Sequence, residues 1–203
     1  MKITAIFGSP VRKGNTETMA EAFLTECSLA GAEITRWRLD DLDYKGCSGC
    51  LACKTRLEEC ALRDGLTPVL GSLHGADVVL IASPVYFFDV TSQLKGFIDR
   101  GYSFLTPDWY KKKKTSRLSP GKELVFVVAQ GGAERVFHDL LQRYSAIFTV
   151  LGFRPLHLIR GGRLRGHADI AARPELLELA REKARLVIAG APSTDKIPEY
   201  NLD

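Results

Sequence analysis

Five short runs of apolar or β-branched residues, each separated from the next by a helical pattern, leave this chain few folds to choose from. The runs are Ile3–Phe7, Ile34–Leu39, Val78–Ala82, Leu124–Ala129 and Phe153–Ile159, and each reads as a strand. Helical periodicity is expected at about Thr16–Ala30, Leu66–His74, Thr91–Tyr102, Ala133–Leu151 and Pro174–Ala189. Three of the runs are nearly continuous in apolar character, as expected when helices cover both faces of a parallel sheet. Regular alternation favours right-handed crossovers and a three-layer α/β sandwich. Pro174 suits the first turn of the last helix, where its missing N–H is not needed, and Gly190 follows its end. A length of 203 residues, 45% apolar and 26% charged, suits one buried core without a linker. One domain over residues 1–190 is expected, with a tail, 191–203, that packs loosely after Pro192.

The opening MKITAIFGSP is too short in apolar residues for a secretory signal, and no run approaches the roughly 18 residues that cross a bilayer. A cytoplasmic protein that does not enter membranes is expected. Thiols in that compartment stay reduced, so the five cysteines read as metal ligands, redox groups or core rather than as a disulfide framework. The formal net charge is +4, and part of the excess lies in Lys111–Lys114. That run is a solvated loop or a dock for an acidic partner or anionic cofactor. It gives no case for nucleic acid, because its only aromatic neighbours are Trp109 and Tyr110.

Two connections are longer than crossovers need, Asp40–Asp64 and Ser103–Gly121, and long ordered loops in compact domains are usually functional. Four of the five cysteines fall in the first.

The first strand runs into Gly8-Ser9-Pro10-Val11-Arg12-Lys13-Gly14-Asn15-Thr16 and then a helix. Hydroxyls of Ser9 and Thr16, the Asn15 amide, the cations Arg12 and Lys13 and a helix N-terminus would converge there on a phosphate. A simple helix start capped by Asn15 or Thr16 is the other reading. Spacing excludes a P-loop, since five residues separate the glycines and Asn15 follows the second, and the dinucleotide glycine fingerprint is absent. The nucleotide reading that remains is a mononucleotide phosphate site.

The third strand ends in Ala82-Ser83-Pro84-Val85-Tyr86-Phe87-Phe88, followed by Thr91-Ser92-Gln93-Leu94-Lys95-Gly96-Phe97-Ile98-Asp99-Arg100. With the phosphate turn, these segments resemble the flavodoxin-like NADPH-dependent FMN reductase family from Met1 to about Val150. The resemblance implies a flavodoxin-like three-layer sandwich with a five-stranded parallel sheet of order 2-1-3-4-5. FMN would then sit in the crevice between strands one and three, where the strand order reverses. Its ring needs apolar faces, which Pro84, Val85, Tyr86 and Phe87 would supply, although an aromatic triplet also suits a core. Gln130, Gly131 and Gly132 would bring backbone N–H groups close to the pyrimidine end of the ring. Asp99 and Arg100 match the family's helix or form a surface pair.

Cys47, Cys50 and Cys53 stand at two-residue gaps, and Cys60 follows after six. Such spacing can curl a loop around one centre, the way cysteine thiolates hold a [4Fe–4S] cluster, and it resembles the compact motif of the iron–sulfur flavoprotein branch of the same family. Zinc, whose structural sites usually pair cysteines across a longer interval, and metal-free thiols are the alternatives. Cys27 falls on the apolar side of the first helix and reads as core. His74, His138, His157 and His167 have no ligand-like spacing.

The expected protein transfers electrons between a [4Fe–4S] cluster and FMN, with no catalytic acid–base pair. A cluster-free NAD(P)H-dependent FMN or quinone reductase and a flavodoxin-like carrier are the alternatives. NAD(P)H or ferredoxin is the expected donor, and the resemblance implies a homodimer or homotetramer.

Overall fold

The computed structural model describes residues 1–195. The strands are β1 (Lys2–Phe7), β2 (Glu33–Arg38), β3 (Val78–Pro84), β4 (Glu123–Ala129) and β5 (Leu156–Gly161), and they form one parallel sheet of order β2-β1-β3-β4-β5. The helices are α1 (Asn15–Leu29), the single turn α2 (Ala52–Thr55), α3 (Leu66–Gly75), α4 (Ser92–Arg100), α5 (His138–Val150) and α6 (Pro174–Ile188).

Side chains alternate across the central strands and build two cores. Ala5, Phe7, Leu80, Ala82, Val125 and Val127 face α1 and α6, while Ile6, Val79, Ile81, Leu124, Phe126 and Val128 face α3, α4 and α5. Since both faces are covered, β1, β3 and β4 are almost wholly buried, which explains their continuous apolar runs. Cys27 is fully buried in the α1 core as expected, and burial, then the charge of Glu26, pushes its thiol up to about 12.

Three expectations shift. The last strand starts at Leu156 rather than Phe153: Phe153 is core, but Gly152–Pro155 form the turn out of α5, and Pro155 has no N–H to give a ladder. The helix expected from Ala133 begins at His138, after a turn closed by the Val136 N–H on the Ala133 carbonyl. The chain beyond Pro192 does not loosen at once. Asp195 accepts from the Leu158 N–H at 2.9 Å and pairs with Lys183 at 2.6 Å; the rest of the expected tail lies outside the described residues.

The C-terminal ends of β1, β3 and β4 meet where the strand order reverses. Gly8 makes that junction tight, since a Cβ there would stand 2.8 Å from Leu94 Cβ and 3.3 Å from the Ala82 carbonyl. Neither neighbour is a flexible side-chain end. Gly8→Ala is expected to lower stability by about 1–3 kcal/mol, measurable as a fall in the urea midpoint; an unchanged midpoint contradicts this close packing.

Candidate functional site: a cleft at the strand ends and a cysteine loop

A cleft of about 330 Å³ opens over the ends of β1, β3 and β4. Among the expected residues, Ser9, Asn15, Thr16, Pro84, Val85, Tyr86 and Gly131 line it, whereas Arg12, Lys13, Phe87, Gln130 and Gly132 do not.

The turn before α1 is ordered by its own polar groups. Ser9 Oγ accepts the Val11 N–H at 3.2 Å, and the Lys13 N–H donates to Glu17 Oε2 at 2.5 Å. Gly14 occupies the cap position, and no side chain caps the helix. The capped-start reading therefore fails, and the N–H groups of the first turn, which have no intrahelical partner, find none among the described residues and stand beside the buried Thr16. Arg12 does not join them, because it pairs with Asp41 at 2.6 Å. Asn15 serves as a tie: its Nδ2 donates to the Gly166 carbonyl at 2.6 Å and its Oδ1 accepts the Ile170 N–H at 2.9 Å.

At the end of β3, Tyr86 and Asp89 exchange backbone hydrogen bonds of 2.8 and 3.1 Å around a two-residue tip. Phe87 and Phe88 form that tip, both in the left-handed region (φ 41° and 73°), and Phe87 is 97% exposed. Left-handed backbone costs an ordinary residue roughly 1–2 kcal/mol. Asp89 holds the tip by accepting the Tyr144 hydroxyl at 2.7 Å and the Val90 N–H at 2.7 Å. Phe87→Asn, which tolerates this backbone, is expected to raise stability by about 1 kcal/mol; loss of stability in thermal unfolding would contradict the strain assigned to the tip.

Gln130 is a scaffold rather than a lining residue. Its Nε2 donates to the Ala133 carbonyl at 2.5 Å and the Val136 carbonyl at 3.2 Å, and its Oε1 accepts from Arg160 Nε at 3.0 Å. These bonds curl residues 131–137 beside the cleft. The fourth wall was not anticipated: Leu164, Arg165, Gly166 and His167, from the connection after β5, line the cleft beside the phosphate turn, to which Asn15 ties them. The signal available was a strand end rich in glycine and cations, Gly161-Gly162-Arg163-Leu164-Arg165-Gly166, like the turn after β1.

The cysteines lie on a separate loop. Cys47 and Cys50 are exposed, and Cys53 and Cys60 are half-buried. The expected gathering of the four around one centre is not seen: among the described residues no three Cys, His, Asp or Glu side chains stand together as a metal site. Within the loop, Gly49 (φ 67°) and Leu51 (φ 54°) take left-handed backbone. The Ala52 N–H, with Ser48, favours the Cys50 thiolate and lowers its pKa. The base of the loop is well tied. Of the two readings of Asp99 and Arg100, the surface pair does not form; Asp99 pairs with Lys95 at 2.6 Å, while Arg100 is buried and bonds to Asp64 at 2.8 Å. An apolar cavity of about 610 Å³, lined by Cys47, Ile98, Tyr102, Trp109 and Ile147 among others, separates this loop from α5. Lys111–Lys114 are exposed, as expected of a solvated run.

Residues 1–155 match the family described as NADPH-dependent FMN reductase. An iron–sulfur flavoprotein of Archaeoglobus fulgidus is 33% identical over 136 residues, 67% of this chain and 59% of the relative. An FMN-dependent NADH:quinone oxidoreductase of Ralstonia nicotianae is 30% identical over 117 residues, 55% of each chain. The chain spans 48% to 59% of the length of three curated iron–sulfur flavoproteins that it matches. In fold, the chain is similar to an NAD(P)H:quinone oxidoreductase from Methanothermobacter marburgensis, with a TM-score of 0.69 and 19% identity, covering 92% of this chain and 96% of that one.

Proposed function

This chain belongs to the NADPH-dependent FMN reductase family, and from that premise we propose that it is an FMN-dependent oxidoreductase whose cysteine loop holds a [4Fe–4S] cluster. The observation that carries the flavin reading is the cleft itself, where an uncapped helix start and apolar strand-end residues meet at the reversal of strand order. In this reading, the first-turn N–H groups of α1, with Ser9 and Thr16, take the phosphate. Pro84, Val85 and Tyr86 lie against the ring. The N–H group of Gly131, which finds no acceptor among the described residues, would face the pyrimidine end, while Gly132 stands outside the cleft lining. Asn15 keeps the 164–170 connection over the phosphate, and Gln130 keeps the glycine turn in place. FMN supplies conversion between one- and two-electron chemistry, so the chain itself needs no acid–base pair.

Support for the cluster comes from the four thiols at iron–sulfur spacing, Cys47, Cys50, Cys53 and Cys60, and from the relatives named iron–sulfur flavoprotein. Assembly would draw together thiols that stand apart in the structure. The apolar cavity between the loop and α5 supports a homodimer or homotetramer. No helix among the described residues is long and apolar enough to cross a membrane, and the reading keeps the protein in the cytoplasm. The separated thiols favour one alternative, a cluster-free NAD(P)H:quinone reductase.

The donor is tested by mixing the anaerobic protein with NADH, NADPH or reduced ferredoxin and following the loss of oxidised-flavin absorbance. Rapid bleaching by at least one of them is expected. Bound flavin that none of the three reduces would end the reductase reading.

A further inference from the structure

The cysteine-bearing segment is a loop with a closed neck. The Gly65 N–H donates to the Asp43 carbonyl at 2.9 Å, and a Cβ on Gly65 would stand 2.8 Å from that oxygen. The Asp64 carboxylate accepts the Lys45 N–H at 3.2 Å and the Leu66 N–H at 3.0 Å. Residues 43–45 and 62–66 are thus laced together, and residues 46–61 emerge from them as an Ω-loop carrying all four clustered cysteines.

One side chain from outside the loop holds both strands of the neck. Arg100, the last residue of α4, has a side chain with 0% exposure. Its Nη1 donates to the Lys45 carbonyl at 2.9 Å and to Asp64 Oδ2 at 2.8 Å, and its Nη2 donates to the Leu62 carbonyl at 3.0 Å. Its Nε is buried without a partner among the described residues. Further out, Arg117 Nη2 donates to the Cys53 carbonyl at 3.0 Å, which fixes the far side of the loop.

The other end of α4 is fixed to the flavin side. Thr91 caps the helix by accepting the Leu94 N–H at 3.2 Å, and the same hydroxyl donates to the Gly8 carbonyl at 2.6 Å, where the phosphate turn begins. The nine residues of α4 therefore span about 14 Å as a rigid strut between cleft and loop.

From this juxtaposition we propose that Arg100 is the positioning residue of the cysteine loop, clamping its neck to α4 so that the helix sets where the thiols stand relative to the cleft. The proposal deepens the two-cofactor reading and rests on it for its purpose, though not for its geometry. Lysine cannot replace the clamp, because an ammonium lacks the planar fork that reaches three acceptors at once. The buried guanidinium also places a fixed positive charge, and Asp64 a fixed negative one, under the loop.

The test uses the full chain purified without oxygen, as Arg100→Lys, Arg100→Gln and Asp64→Asn. Hydrogen exchange of residues 43–45 and 62–66 should accelerate at least tenfold in all three, with FMN affinity within about twofold of the parent and iron per chain reduced by more than half. The half-buried thiols Cys53 and Cys60 should react faster with a thiol reagent in Arg100→Gln and Asp64→Asn, while the buried Cys27 stays unreactive. Loss of a residue that merely supports the fold would expose all three. Unchanged neck exchange, or loss of FMN in step with iron, overturns the clamp. A parent protein without iron whose neck still loosens in the variants supports the clamp and sinks the cluster reading, so the two failures are distinguishable.

Discussion

Cys50→Ala is expected to leave FMN bound and to remove nearly all iron and acid-labile sulfide from the anaerobically purified protein. The separation follows from placement. Cys50 is exposed on the Ω-loop, and it does not line the cleft at the strand ends. An exposed site away from packing and caps changes stability by only about 0.5 kcal/mol, so the fold and the cleft survive. A cluster held by four thiolates would lose one of its ligands. Flavin quantification after acid release, beside iron and sulfide assays on the same sample, reads both cofactors. Parallel loss of all three would contradict the independence of the two sites.

Thr16→Asp is expected to weaken FMN binding by roughly 100-fold, about 2.7 kcal/mol, while riboflavin affinity changes by less than about threefold. Thr16 lies in the first turn of α1 and lines the cleft. A carboxylate at a helix N-terminus is compatible with the helix dipole, so the helix should still form. The same carboxylate occupies the positive end that the phosphate would use and repels it. Fluorescence quenching titrations with the two flavins separate the phosphate from the ring. Equal weakening of FMN and riboflavin would move the phosphate away from this turn.

Much of the fold was legible because burial on both faces writes itself into composition. Val78–Ala82 and Leu124–Ala129 could only be central strands, and the order of the sheet followed from alternation together with the family resemblance. The boundaries that slipped are ones where a local backbone event overrides periodicity. Phe153 looks like a strand residue because it is core, yet it sits in a turn; Ala133–Phe137 look helical, yet the Gln130 side chain draws their carbonyls into a curl.

The cleft was legible where the chain runs directly from strand to helix, as at Ser9, Asn15, Thr16 and Pro84–Tyr86. Side-chain destinations were less so. Arg12 is diverted by Asp41, a residue far along the chain, and Asn15 by the Gly166 carbonyl and the Ile170 N–H beyond β5. Arg165–His167 reach the cleft only because β5 stands beside β4, which spacing along the chain does not reveal. Arg100 is the clearest case of a residue whose sequence neighbours misdirect: beside Asp99 it reads as a surface pair, whereas the helix turns it inward to a carboxylate 36 residues away.

The central claim, two cofactors on one chain at two separate sites, is tested most directly by their stoichiometry. FMN, iron and acid-labile sulfide should be measured together in protein purified without oxygen. The account predicts about one FMN with about four iron and four sulfide per chain. Protein that carries no flavin and takes up none on titration with FMN would contradict it, as would flavin-loaded protein without iron and sulfide.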